Sequence, residues 1–175
     1  MIALGVLHRV RQFTLALGAR ATHATVEGLA QNLDTRQQEL FHQMPSMDQR
    51  HCLAVFRALR EAGHTDPSLL QAALIHDAGK SLGPVGIKHR VTAVLVKALS
   101  PRLWERLDGG PGSWLYPLRV HRHHAVLGAE LAAQAGCSPE VVWLVAHHED
   151  DQIEGQARDR MGGGLAALQA ADRIN

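Results

Sequence analysis

The sequence has few cysteines and almost no net charge. Cys52 and Cys137 are its only two cysteines, which is too few for a disulfide framework or a thiolate zinc site. Each lies in an apolar helical stretch, so we interpret both as small buried hydrophobic residues. The formal net charge of +1 gives no electrostatic footprint for nucleic acid, so we expect no nucleic-acid partner.

Long hydrophobic runs are also missing. The N-terminal segment is apolar, but His8, Arg9 and Arg11 interrupt it, so it lacks the continuous core of a signal peptide. No stretch approaches a membrane-spanning length, and we therefore expect a cytoplasmic protein without a membrane partner. The apolar residues of this segment recur at helical spacing, which predicts an amphipathic helix that packs on the domain rather than on a membrane. These residues are Val6, Val10, Phe13 and Leu17.

Helix signals recur along the whole chain, and no convincing strand pattern or internal repeat accompanies them. Capping residues and prolines mark the starts, while glycines mark the ends and the loops, including 108–113 and a flexible turn at 162–164. We predict an all-α fold, a helical bundle in which residues 1–45 pack on a domain of residues 46–175. The predicted helices cover 35–44, 46–62 (opened by a capping box at Ser46–Gln49), 67–77, a buried helix at 85–99, a short one at 101–107, then 118–135, 139–149 and 165–174.

Histidine is the residue type that is unusually frequent, with 12 in the chain. Seven His and Asp residues stand at or beside predicted helices, in the order His51, His76, Asp77, His124, His147, His148 and Asp172. Apolar runs precede three of these sites, and burying such polar groups is costly unless something pairs with them. Imidazole and carboxylate groups that converge from several helices are typical of a metal site in a helical core. We therefore predict a metal centre there.

Five short stretches extend this pattern. They are Gln49-Arg-His51, Ala72-Ala-Leu-Ile-His-Asp-Ala-Gly-Lys80, His124-Ala-Val-Leu-Gly-Ala-Glu130, Val145-Ala-His-His-Glu149 and Ala170-Ala-Asp172. With them the chain resembles the HD superfamily of metal-dependent phosphohydrolases, over most of residues 46–175. The order of the ligands is most similar to the binuclear branch, which includes the cyclic-dinucleotide phosphodiesterases called HD-GYP.

The resemblance implies a cofactor, a substrate class and roles for the site residues. One or two divalent ions (Mn, Fe, Co, Zn, Ni or Mg) would be bound, and metal-bound hydroxide would attack a small phosphorylated substrate such as a nucleotide. Asp77 would bridge the ions and position the nucleophile, and Lys80 would hold a phosphate oxygen. A solvated lysine is the alternative for Lys80. The first ion would take His51, His76, Asp77 and Asp172, and the second would take His124 (favoured over His123), His147 and His148.

The sequence also departs from the HD-GYP pattern. No Gly-Tyr-Pro follows His148, and Met47 stands where those enzymes place a Glu ligand. Asp48 could substitute for that Glu, although capping is the better interpretation. Glu149 could orient a ligand histidine or form a surface salt bridge. A di-iron oxygenase, a non-catalytic ligand-sensing module and a homo-oligomer also remain open.

Overall fold

The structure, a computed structural model, describes residues 28–29, 31–83, 87–100, 102–103, 109–150 and 156–175. These residues form seven α-helices and one 3₁₀ helix, and no strand occurs among them, so the predicted all-α fold is confirmed. The helices are α1 (Thr35–Gln43), α2 (Ser46–Glu61), α3 (Pro67–Ile75), the 3₁₀ helix (Ala78–Leu82), α4 (Ile87–Leu99), α5 (Tyr116–Gln134), α6 (Pro139–His147) and α7 (Gln156–Ile174).

Helix α3 lies at the centre of the hydrophobic core. It packs against α1, α2, α6 and α7, and its residues from Ala72 to Ile75 are fully buried. A residue before position 45, Leu40, belongs to the same core as Leu144 and Leu168. The division between residues 1–45 and 46–175 stays a prediction, because the amphipathic helix expected at the N-terminus lies outside the described residues. No described helix combines the length and the hydrophobicity needed to cross a bilayer.

Helices α3 and α6 are built alike. Each has nine residues, begins with proline and is capped by an acceptor side chain, Asp66 or Ser138, which accepts a hydrogen bond from a backbone N–H in the first turn. Each is followed at its C-terminus by a histidine, His76 or His148, in the αR conformation. The two helices therefore each deliver an imidazole where an apolar segment ends.

The capping box predicted at Ser46–Gln49 is wrong. Helix α2 begins at Ser46 itself, directly after Pro45, and has no side-chain cap. A capping box does open α1, where Asp34 accepts from the backbone of Gln37 and the Gln37 side chain accepts from the backbone of Asp34.

Two further expectations are corrected. Helix α4 is not a buried helix: Val91, Leu95 and Leu99 are exposed, and within the part of the chain that the structure describes the helix packs mainly on α5. The glycines at 162–164 do not form a turn, since α7 already begins at Gln156 and includes them. Glycine costs a helix about 1 kcal/mol relative to alanine, and the packing of α7 on α2, α3 and α6 offsets that preference.

Two glycines let the 3₁₀ helix approach α5 very closely. A Cβ at Gly79 would lie 2.1 Å from the carbonyl oxygen of His124 and 2.7 Å from the amide nitrogen of Gly128. A Cβ at Gly128 would lie 3.1 Å from the amide nitrogen of Gly79. A side chain larger than hydrogen at residue 79 cannot fit in this arrangement. The contact brings the chain that follows Asp77 directly against His124.

Candidate metal centre

The first group of candidate metal ligands consists of His51, His76, the Oδ2 atom of Asp77, and Asp172. The Nε2 atoms of His51 and His76 are 3.3 Å apart, and Oδ1 of Asp172 lies 2.7 Å from the first and 3.6 Å from the second. Oδ2 of Asp77 lies 3.9 Å from both nitrogens. Residues from α2, α7 and the end of α3 therefore meet at one point.

The second group consists of the Oδ1 atom of Asp77, His124 from α5, and His148 at the end of α6. The Nε2 atoms of the two histidines are 3.2 Å apart. Oδ1 of Asp77 lies 3.2 Å from Nε2 of His124 and 3.9 Å from Nε2 of His148. The two groups thus share Asp77, and each faces a different oxygen of its carboxylate.

Backbone carbonyls orient three of the four rings. The Nδ1 atoms of His76, His124 and His148 lie 3.0, 2.7 and 2.7 Å from the carbonyl oxygens three residues earlier, those of Ala73, His121 and Val145. A carbonyl only accepts hydrogen bonds, so each Nδ1 carries a proton, and whenever the ring is neutral its Nε2 presents a bare lone pair to the centre of its group. Lone pairs that face each other at such distances call for a cation between them.

The distances also suit a shared ion. Divalent ions such as zinc hold nitrogen and oxygen ligands at about 2.1 Å, so two ligand atoms of one ion are at most about 4.2 Å apart. The atom pairs given above for the two groups all fall below that limit. Among the described residues, two triads each bring one ligand atom per residue within 4.8 Å of one another: His51, His76 and Asp77, and Asp77, His124 and His148. The residues present therefore fit a divalent metal.

Comparison with known families agrees with this arrangement. The family model described as HD domain matches residues 49–174, more than two thirds of the chain and all of both groups. The chain belongs to the HD domain family. No curated protein and no solved structure matches the sequence. The assignment to the family therefore rests on the match to the family model.

Lys80 of the HD domain binds the shared carboxylate. Its Nζ lies 2.6 Å from each oxygen of Asp77, and both side chains are buried. Burial alone would raise the pKa of Asp77, but the positive charges of Lys80 and the neighbouring His76 hold this pKa well below its usual value. Asp77 is therefore ionised and available as a ligand. The solvated lysine considered as an alternative does not describe Lys80.

The electrostatics of the two groups differ. Burial disfavours a charged His76, but the sulfur of Cys52 and the carboxylates of Asp77 and Asp172 outweigh burial and raise the pKa of His76 well above its usual value. Burial of His148, together with the nearby histidines, lowers the pKa of His148 to about 3. The first group can therefore hold a proton, whereas His148 in the second group is neutral.

The structure does not bring His147 into either group of the HD domain. Its side chain is 36% exposed, its Nδ1 lies 2.5 Å from Oδ2 of Asp150, and its ring packs on Trp143. His147 belongs to the last turn of α6 on a face that points away from the core, whereas the next residue, His148, points inward. The prediction that both histidines bind the second ion thus finds support for His148 alone.

Two features of the site are not predicted from the sequence: the backbone carbonyls that accept hydrogen bonds from the ligand rings, and the ring atom that Glu149 approaches. The three carbonyls follow from the helical i−3 spacing, a signal that was present in the sequence. The sequence leaves two roles open for Glu149, orienting a ligand ring through its second nitrogen or forming a surface salt bridge, and the first does not apply to His124 because that nitrogen is bound to the backbone. Instead, Oε1 of Glu149 lies 3.8 Å from Nε2 of His124.

Proposed function

We propose that this HD-domain protein is a metal-dependent phosphohydrolase that binds two divalent ions, one in each group. The observation that carries the proposal is the division of the Asp77 carboxylate. Its Oδ2 faces the first group and its Oδ1 faces the second. A carboxylate that presents one oxygen to each of two cation positions acts as a bridge and holds two ions close together.

Each ligand has a defined role in this proposal. His51, His76 and Asp172 hold the first ion, and His124 and His148 hold the second. Bound ions would supply a coordinated water of lowered pKa and would neutralise the charge that builds on the phosphoryl group. Hydrogen bonds to backbone carbonyls keep the ligand rings in position, so the chain loses little freedom when the ions bind.

The substrate side of the site is the side that solvent reaches. The side chains of the ligands His51 and Asp172 and of the neighbouring Glu149 are 22, 27 and 49% exposed, whereas those of the remaining ligands are almost fully buried. A phosphorylated small molecule such as a nucleotide would reach the ions from this side. Lys80 supplies a buried positive charge next to Asp77. We propose that its ammonium group keeps one hydrogen bond to Asp77 and donates another to a phosphate oxygen when substrate binds.

The test combines a metal count with a substrate panel. Purified protein is analysed for bound metals, and phosphate release is then measured on mononucleotides, cyclic nucleotides and dinucleotides in the presence of Mn²⁺ or Co²⁺. We expect about two ions per chain and turnover of at least one class of phosphoester. Asp77→Ala should lose both ions and all turnover, since it removes the ligand that the two groups share.

Three results would contradict the proposal. Full activity in Asp77→Ala would remove the central role of Asp77. Oxygen uptake without phosphate release would favour an oxygenase. Metal binding without turnover of any phosphoester in the panel would favour a ligand-sensing module. A circular-dichroism spectrum of Asp77→Ala, compared with that of the wild type, establishes that the variant is folded.

A further inference from the structure

The second group offers three protein ligand atoms, so a divalent ion there would have at least one position left for a water molecule or for a further side chain. Asp77 Oδ1, His124 Nε2 and His148 Nε2 provide three ligand atoms, all from side chains about 1–2% exposed. Even zinc, which accepts few ligands, takes at least four. Any further ligand has to come from the solvent side, because the core lies behind the other three.

Glu149 approaches from that side. It directly follows His148, its side chain is 49% exposed, and its Oε1 lies 3.8 Å from Nε2 of His124. This nitrogen is the ligand atom of His124, since Nδ1 donates to the carbonyl oxygen of His121. We propose that Glu149 is the fourth protein ligand of the second ion, an inference that rests on the binuclear site proposed above.

The distance from Glu149 to one ligand atom, Nε2 of His124, fits this role, whereas the exposed side chain has to rotate to approach Asp77 and His148 as closely. Two atoms on one ion at about 2.1 Å can be up to about 4.2 Å apart, and 3.8 Å between Oε1 and Nε2 falls within that limit. Without an ion, a carboxylate oxygen and a bare ring nitrogen would repel each other, because neither has a proton to donate. A cation placed between them turns this repulsion into attraction.

The neighbouring His147 is not placed to act as the fourth ligand. His147, the residue expected to complete the second site, is bound to Asp150 and packs on Trp143. Among the described residues, His124 is the charged or polar partner that the structure gives to the Glu149 carboxylate. The exposed side chain can rotate toward the ion without disturbing the core.

The experiment titrates metal-free protein with Co²⁺ alone and follows its visible absorption, at about 0.15 M salt to screen distant charges. Glu149→Gln is compared with Asp150→Asn. Both variants remove one exposed carboxylate from adjacent residues at the end of α6. We expect Glu149→Gln to weaken the second Co²⁺ by at least about tenfold, and Asp150→Asn to change it by less than about threefold. Affinity for the first Co²⁺ should stay the same in both variants.

Wild-type affinity for the second Co²⁺ in Glu149→Gln would overturn the assignment, and so would an equal loss in both variants, which would reflect general charge. Uptake of a single Co²⁺ by the wild type would also overturn it, yet phosphate release by that one-ion protein would leave the hydrolase standing. Conversely, a second Co²⁺ that depends on Glu149 in a protein that hydrolyses no phosphoester would support the ligand and contradict the proposed reaction.

Discussion

The two groups share one carboxylate but differ in solvent exposure and in whether a proton can compensate their buried charge. In the first group, Asp172 and His51 are partly exposed and are joined by a short hydrogen bond. Because a carboxylate can only accept, the His51 nitrogen carries the proton in that contact. A proton can therefore take the place of a metal in the first group, at least in part.

The second group lacks this substitute. His124 and His148 are almost fully buried, and each has committed its Nδ1 proton to a backbone carbonyl. The lowered pKa of His148 shows that a second proton on this ring is strongly disfavoured. The comparison indicates that the first group is open to solvent and can hold a proton, whereas the second group is buried and would need a cation to compensate its facing ligand atoms.

The largest expected effect comes from the glycine that holds the second group against the shared carboxylate. Gly79→Ala would place a Cβ 2.1 Å from the carbonyl oxygen of His124, so the backbone must move. We expect a loss of stability of about 1–3 kcal/mol or more, with the second ion lost before the first. Urea unfolding measures the stability and metal analysis measures the ions.

Gly110→Ala is the matched control for this variant. A Cβ at Gly110 meets nothing within 4 Å, and its effect should stay within about 0.5 kcal/mol. If Gly79→Ala unfolded at the same urea concentration as Gly110→Ala, the close contact between the 3₁₀ helix and α5 would not exist in the protein.

The next largest effect should separate the two groups. His148→Ala removes a ligand of the second group and leaves His51, His76 and Asp172 in place. We expect the metal content to fall from two ions per chain to one, whereas Asp77→Ala should lose both. Elemental analysis after dialysis measures this difference. Two ions retained in His148→Ala would show that the second ion does not lie between His124 and His148.

Much of this arrangement can be predicted from the sequence. Asp66-Pro67 and Ser138-Pro139 fix the starts of α3 and α6, because capping acceptors and N-terminal prolines are strong local signals. The apolar runs that follow them place His76 and His148 at the ends of buried helices. Local chemistry was sufficient there, since the capping bonds and the apolar runs are both set by residues close together in the chain.

Other features depend on contacts between distant parts of the chain. Adjacent histidines at the end of a helix point about 100° apart, so the sequence alone does not say whether 147 or 148 faces the core. The exposure of Val91 and Leu95 depends on which helices cover α4. The helical state of Gly162–Gly164 depends on the packing of α7, which overrides their local preference.

A smaller effect concerns protons in the first group. The pKa of His76 is raised above its usual value, so below that pKa a proton occupies the nitrogen that would bind the metal. Metal affinity should therefore fall as the pH falls through this pKa, by up to about tenfold per pH unit for one displaced proton. Competition titrations with a chelator of known pH dependence measure this slope. A first-site affinity that does not change across that range would contradict the raised pKa.

The smallest effect should come from the residue that separates the sequence prediction from the structure. His147→Ala removes a half-exposed ring whose partner, Asp150, is also exposed. Such surface pairs contribute about 0–1 kcal/mol, so the free energy of unfolding should change little and both ions should stay bound. Elemental analysis and urea unfolding, run beside His148→Ala, compare the two neighbours directly. If His147→Ala lost an ion as His148→Ala does, the second site would include both histidines, and the contact of His147 with Asp150 would have to break when metal binds.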